Sequence, residues 1–343
     1  MPPRKQSAPL TVAVTGPTGD IGQAVVAALE RSRTVESIRG MARRPFDPSE
    51  HGWRKTEYRQ GDVLERGGVD ALVDGADVVI HLAFIIMGAH DETRKINLEG
   101  SRNVFEAALD AGAKRLVYAS SVAAYGFHED NPDKLTEEVP PRGTDRFYYS
   151  AQKAELEALL SDLVADANTD AYVFRPSIVS GPGGGVLMDN MPYLQIGDRL
   201  PAPVRRLLDS MPMLKPVIPD PGVPFQLVHH DDVATAMRLA VQGRGEPGVY
   251  NLAGDGKLTM GHLARELGWY AVPVPELGVD AAAEIVARLP FLPPEAAWID
   301  ALRRPVIMDT TKAKKKLGWR PKYTSLQTLR SMVAAAREER REL

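Results

Sequence analysis

The chain has 343 residues, and its 42 Lys and Arg against 45 Asp and Glu give a formal net charge of −3 at pH 7. That length buries one large core or two modest ones, and the near-balanced charge gives no electrostatic reason to expect nucleic acid or an anionic membrane as partner. The absence of cysteine excludes disulfides, thiolate metal sites and a cysteine nucleophile.

Residues 1–9 (MPPRKQSAP) are polar and proline-rich without the apolar core of a signal peptide, and no run approaches the roughly 18 apolar residues of a membrane span. A frayed tail on a cytoplasmic protein with a small-molecule substrate is expected. Leu10 to Glu30 (LTVAVTGPTGDIGQAVVAALE) then reads as a buried strand, a tight turn and an apolar helix. Gly16 permits the bend, Gly19 lets a diphosphate approach the backbone, and Gly22 lets the helix pack close to the strand. An anion there meets the positive end of the helix. The bland alternative is an ordinary strand-to-helix loop.

A second strand, Val35–Ala42, ends where an NAD-selective site carries an acidic residue for the ribose 2′-hydroxyl. Ala42 holds that neighbourhood and Arg43 follows. Loss of a carboxylate and gain of a guanidinium favour a 2′-phosphate, so NADP(H) is expected slightly ahead of NAD(H); otherwise Arg43 and Arg44 are solvated loop charges. Tyr58–Asp62 and Val78–Ala83 read as the third and fourth strands. Asp62 is either an acceptor for the adenine amino group, with Val63 lending its backbone, or a cap for the following turn. A helix over Asn97–Ala111 and a fifth strand over Lys114–Ser121 complete an alternation that predicts an α/β fold, a Rossmann-type doubly wound parallel sheet with ligands beyond the carboxyl ends of its strands.

Ser120 and Ser121 close the fifth strand, Tyr125 and Gly126 lie in the next loop, and YSAQK places Tyr149 and Lys153 at i, i+4 on a long helix. That spacing puts both side chains on one face, where an ammonium lowers a phenol's pKa towards neutrality. The tyrosine then exchanges the proton of a carbinol while a nicotinamide exchanges the hydride, and a serine hydroxyl holds the substrate oxygen. An isolated YxxxK is common on solvated helices; its position after a dinucleotide turn and a Ser-Ser strand end gives it meaning.

From Pro176 to Asp220 glycine and proline are dense, with short helical pieces around Pro203–Met211, and the segment is expected to form a smaller, mixed α/β substrate lobe. Gly181–Gly185 lacks the strand-turn-helix context of a phosphate loop and reads as a flexible loop over the site. Phe225–Val228 is a returning strand, followed by a helix from Asp231 through Leu239. The run His229, His230, Asp231, Asp232 invites a metal, yet consecutive residues point in different directions and capping explains an aspartate, so no metal is expected. Val249–Leu252 is a strand, Met260–Leu267 and Ala281–Leu289 are helices, Pro290–Pro294 is a turn, Thr310–Leu317 is a short helix and Leu326–Leu343 is a terminal helix. Trp298 and Trp319 are expected in packing. The expected domains are a tail (1–9), a dinucleotide-binding domain (10–175, with returning segments near 225–252), a substrate lobe (176–224 and 253–325) and a C-terminal helix (326–343).

TGPTGDIG, the HLA of His81–Ala83, NLEGSRNV, YASSVAAYG and YSAQK, in that order, resemble the extended short-chain dehydrogenase/reductase family, the NAD-dependent epimerase/dehydratase group. The resemblance continues at Phe174-Arg175-Pro176, HHDDVA, VYNL and Leu317-Gly318-Trp319. It implies Tyr149 as acid/base, Lys153 as its partner on the nicotinamide ribose, and Ser121 as donor to the substrate oxygen, with Ser120 the alternative. The expected cofactor contacts are Gly16, Thr18, Gly19, Asp20, Ile21, Gly22, Arg43, Asp62, Val63, Leu82, Ala83, Asn97, Ser120, Tyr149, Lys153 and Pro176. Phe84, Ser121, Tyr125, Ser177 and Asn190 are the expected substrate residues, and Ile85, Met87, Met188, Tyr193 and Leu194 would add an apolar side unless they serve the core. A homodimer through the Asn97 and Tyr149 helices is also implied.

Epimerases of the family carry an arginine four residues before the position of His229, to hold a sugar diphosphate; here Phe225 stands there, followed by Gln226. A phenyl ring does not replace a guanidinium, although Arg303 or Arg304 resembles another phosphate contact. The expectation is therefore an oxidoreductase acting on a secondary alcohol or ketone. The alternatives are a nucleotide-sugar epimerase or dehydratase with tightly held NAD and a non-catalytic dinucleotide sensor, against which the intact Ser, Tyr and Lys set speaks.

Overall fold

A computed structural model describes residues 9–86, 90–144, 147–183, 215–274 and 304–342. Its centre is a seven-stranded sheet in the order β10-β6-β5-β4-β1-β2-β3, parallel throughout. The strands are β1 (Leu10–Thr15), β2 (Val35–Ala42), β3 (Thr56–Gln60), β4 (Val78–His81), β5 (Arg115–Ala119), β6 (Asp170–Pro176) and β10 (Gly248–Leu252). Two-residue alternation sorts the side chains of β1: Val12 and Val14 face one hydrophobic layer, Ala13 the other. Both faces are covered, which is why β1 and β4 read as apolar runs.

One layer packs α1 (Asp20–Glu30) and α5 (His230–Val241) against the sheet through Val25, Val26, Leu29, Met237 and Ala240. The opposite layer holds α2 (Arg66–Val73), α3 (His90–Asp110) and α4 (Tyr148–Val164), contributing Val69, Val104, Phe105, Leu156 and Leu160. A third cluster joins β8 (Val217–Asp220), β9 (Leu227–His229), α6 (Met260–Leu267) and α7 (Ser325–Glu342) around Ile218, Leu227, Leu263 and Leu329. Short parallel pairs, β7 (Ile178–Ser180) with β9 and β8 with β11 (Tyr270–Pro273), complete the described strands.

The predicted fold class is the observed one, and the bounds of β2 and α6 match the sequence reading. The third strand begins two residues earlier than predicted, because pairing with β2 starts at Thr56 opposite Ile38 and Asp62 has already turned away. Phe225 makes an isolated antiparallel bridge with Leu258 rather than opening β9. Trp319 is fully buried and its indole donates to the Asp232 carbonyl at 2.9 Å. The readings placed on Asn190, Met87, Met188, Tyr193, Leu194, Trp298, Arg303, Pro203–Met211, Ala281–Leu289 and Pro290–Pro294 lie outside the described residues. Among the described residues no helix is long and apolar enough to cross a membrane.

Candidate active site

β1 sits between β2 and β4, so the chain reverses its direction of travel across the sheet at the β1/β4 boundary, where a crevice opens beyond the carboxyl ends. The glycine turn occupies that boundary. Gly16 adopts φ +74°, and a Cβ there would lie 2.8 Å from the Ala83 nitrogen; a Cβ on Gly22 would overlap the Gly16 carbonyl oxygen. Gly19 differs, since its Cβ would meet only the Gly16 oxygen at 3.8 Å. Two glycines thus serve close packing, while the third leaves an open face. Gly19 is the N-cap of α1 and gives no side-chain cap bond, so the first-turn N–H groups of α1 are left for an anion. These features fit a dinucleotide diphosphate.

A cavity of about 310 Å³ joins this turn to the ends of β4, β5 and β6. It brings together Gly16, Gly19, Asp20, Ile21, Gly22, Leu82, Ser120, Ser121, Tyr149, Pro176 and Ser177 of the expected set. Phe225, Gln226 and Arg304, the positions compared with the family's diphosphate contacts, also line it, and among the residues not foreseen in the sequence are Ile86, Val122, Phe127, Phe147, Ile178, Val223 and Val306. Arg304 pairs with Glu129.

The two serines diverge. Ser120 Oγ donates to Glu157 Oε1 at 2.5 Å. Ser121 caps the 3-10 turn Val122–Tyr125 by accepting from Ala123 N at 3.1 Å, and its side chain also hydrogen-bonds Tyr149. Ser121 is therefore the serine beside the tyrosine. Burial pushes the Tyr149 phenol up to about 12 against the opposing Ser121 hydrogen bond, and burial pushes Lys153 down to about 7 against the charge of Glu157. This corrects the expectation of a phenol drawn towards neutrality. The Lys153 ammonium bonds the Ala119 carbonyl at 2.7 Å and the Tyr118 hydroxyl at 3.3 Å, and stands 5.8 Å from the Tyr149 ring centroid. It also lies 3.7 Å over Phe84.

Phe84 is thus a floor for Lys153, set edge-on to Tyr149 at 5.4 Å, rather than part of the cavity lining. Tyr125 is fully buried, with its hydroxyl turned to Asn251 Oδ1 (2.8 Å) and the Thr136 carbonyl (3.0 Å), so it frames the site from behind. Asn97 clamps the segment after β4 through Ile85 N (2.8 Å) and Ile85 O (2.9 Å), and donates to Gln152 of α4 at 2.8 Å. The Asp62 carboxylate accepts from Leu64 N at 3.0 Å, the capping role, while the Val63 carbonyl accepts from Asn103. Thr18 gives its carbonyl to Gln23, and Arg43 is exposed at the end of β2.

Among the described residues His229, His230 and Asp231 bring their ligand atoms within 4.8 Å of one another, closer than sequence neighbours were expected to come. The two histidines are otherwise engaged. His229 accepts from Asp231 N as the cap of α5, and His230 donates to Asp20 Oδ1 at 2.7 Å. The predicted aspartate cap is thus replaced by a histidine, because the Asp232 carboxylate turns instead to Lys322 N and Tyr323 N.

The parallel sheet and its glycine turn define a Rossmann-type α/β protein. Residues 12–253 match the model of the NAD dependent epimerase/dehydratase family, and the chain belongs to that family of enzymes. An uncharacterized protein of Sinorhizobium fredii, y4nG, is 26% identical over 330 residues, covering 93% of this chain and 76% of that one. A 3beta-hydroxysteroid-dehydrogenase/decarboxylase, isoform 1 of Arabidopsis thaliana, is 30% identical over 141 residues, 40% of this chain and only 32% of the plant protein's length. A dTDP-glucose 4,6-dehydratase from Bacillus anthracis, solved in complex with NAD, shares the fold with TM-score 0.71 at 17% identity over 97% of this chain and 98% of that one.

Proposed function

We propose that the protein is an NAD(P)-dependent oxidoreductase that interconverts a secondary alcohol and a ketone, with NADP(H) as the preferred cofactor. The observation that carries this reading is the wall around Ser121 and Tyr149: Ile86, Val122, Phe127, Phe147, Ile178, Phe225 and Val306 surround the reacting pair, with Arg304 beside them already paired to Glu129. Such a wall takes an apolar carbonyl compound; a sugar diphosphate requires guanidinium or ammonium donors.

The glycine turn and the N-terminus of α1 would hold the diphosphate, and Arg43 a 2′-phosphate. A bound nicotinamide supplies or accepts the hydride. Ser121 donates to the substrate oxygen and orients it towards Tyr149. Tyr149, protonated at neutral pH by its burial, gives its hydroxyl proton to the carbonyl oxygen in reduction and takes it back in oxidation. The Lys153 charge stabilises the phenolate left behind. In this reading residues 10–175 with the segments near 225–252 bind the dinucleotide, and 176–224 and 253–325 serve the substrate. It further takes the protein as a cytoplasmic homodimer packed through α3 and α4, which light scattering of the purified chain tests.

The second reading is a nucleotide-sugar dehydratase or epimerase, favoured by Arg304 at the cavity wall and by the dTDP-glucose dehydratase with its NAD. The deciding experiment identifies, by mass spectrometry after gel filtration and denaturation, any dinucleotide that co-purifies. A site that takes up only added NADP(H) and turns over apolar ketones supports the oxidoreductase; near-stoichiometric resident NAD overturns it in favour of the second reading.

A further inference from the structure

Tyr149, Lys153 and Glu157 stand at i, i+4 and i+8 of α4 and all face inwards. Glu157 belongs to none of the roles above, yet its carboxylate is among the most heavily bonded groups of the interior. It accepts Ser120 Oγ at 2.5 Å, Arg175 Nη2 at 2.6 Å and Arg175 Nε at 2.9 Å, with side-chain exposures of 5% for Glu157 and 2% for Arg175. The Arg175 guanidinium lies 4.4 Å from the Tyr125 ring centroid and bonds the Val139 carbonyl.

A buried ion pair is costly to desolvate, and an apolar pair of similar volume often serves stability as well. Position explains its presence better. Glu157 is one turn along the helix from Lys153, and it grips the residue that adjoins Ser121. Resting on the acid/base reading of Tyr149 and Lys153, we propose that Glu157 is a positioning residue of the active site: its carboxylate, clamped by Arg175, is the counter-charge that keeps Lys153 an ammonium, and it locks α4 to the strand end that carries Ser121.

The other groups that face Lys153 leave this task to Glu157. His81 on β4, with Nδ1 2.7 Å from Thr15 Oγ1 and Nε2 2.8 Å from Ser101 Oγ, is held neutral by burial, which with the nearby ammonium pushes it down to about 3. Tyr118 on β5 and Tyr149 are phenols raised by burial. Phe84 offers a ring face and Ala119 a carbonyl. Arg175, behind Glu157, is positive and works against the ammonium. Burial lowers Lys153, and Glu157 is the charge that opposes it.

The test exploits this opposition of sign. Glu157→Gln and Arg175→Gln break the same ion pair, so packing damage is common to both, but they remove opposite charges. The full chain, labelled with ¹³C at the lysine ε carbons, is titrated by NMR, and the Lys153 signal is identified by its loss in Lys153→Met. The expected result is a midpoint lowered by about one unit or more in Glu157→Gln and raised in Arg175→Gln. Midpoints that both stay fixed, or both move in one direction, overturn the proposal. Should either single variant fail to fold, the double variant Glu157→Gln/Arg175→Gln removes the ion pair as a unit, so that neither of its partners is left buried alone; a lowered Lys153 midpoint supports the proposal and an unchanged one overturns it. No substrate or dinucleotide enters the measurement, so a failure of the oxidoreductase reading, seen as undiminished turnover in Tyr149→Phe, is separate from a failure here.

Discussion

The two sides of the cavity are built on different principles. Behind the strand ends, Ser120, Glu157, Arg175, Tyr125 and Asn251 form an unbroken chain of polar contacts, and beside it Lys153 is held by the Ala119 carbonyl and the Tyr118 hydroxyl. In front, Val122, Phe127, Ile178, Phe225 and Val306 meet the cavity with apolar surface and few directional bonds. In the proposed reaction the rear side would orient the groups that exchange the proton, whereas the front wall would select a ligand by size and polarity. This is how one chemistry is retained while substrates change, since apolar walls tolerate exchange and buried polar networks do not.

The largest test of that contrast removes the phenol. Tyr149→Phe is expected to lower turnover by about 10²–10⁴-fold, the usual weight of a positioned acid or base, with dinucleotide affinity unchanged in a fluorescence titration. Unaltered turnover would refute the assignment. Next, the glycine turn separates packing from binding: Gly22→Ala drives a methyl into the Gly16 carbonyl and is expected to lower the melting temperature clearly, while Gly19→Ala, with open space around it, keeps stability within about 0.5 kcal/mol yet weakens dinucleotide binding.

A pH series sharpens the rear side further. Lys153 titrates near 7 when folded and at 10.5 as a free side chain, so burying its charge costs stability in full below about pH 7, and the cost fades as pH rises towards 10.5. Denaturant melts of Lys153→Met should therefore show their greatest gain over the parent at or below pH 7 and almost none near pH 10.5. The smallest effect belongs to the rim, where Arg43→Ala is expected to weaken NADP⁺ about tenfold, leave NAD⁺ affinity as it was and leave stability unaltered. Equal losses for both dinucleotides would remove Arg43 from the 2′-phosphate.

The legible parts of the sequence were those in which local geometry demands a residue type. Only glycine fits at Gly16 and Gly22, and an i, i+4 pair on a helix shares a face whatever surrounds it. What stayed hidden depended on contacts distant in sequence. The carboxylate of Asp62 has two sensible uses, and only the structure shows that one of its oxygens accepts from Leu64 N. Phe84 and Tyr125 are aromatic residues in loops, and nothing local says that one lies under Lys153 and the other behind Arg175. Glu157 and Arg175 did leave a trace: a glutamate one turn past Lys153 on the same face, and an arginine in the apolar strand YVFRP. Two buried charges of opposite sign call for each other.

His230 reaches Asp20 across 210 residues, and β10 pairs with β6 from Tyr172 to Pro176. During synthesis, the first 175 residues contain the glycine turn, Ser121, Tyr149, Lys153, Glu157 and Arg175, yet they leave β6 as a bare edge with unpaired backbone groups. The nascent chain thus carries these residues well before the central sheet is complete, and β10, the last strand of that sheet to emerge, shields the edge from pairing with another molecule.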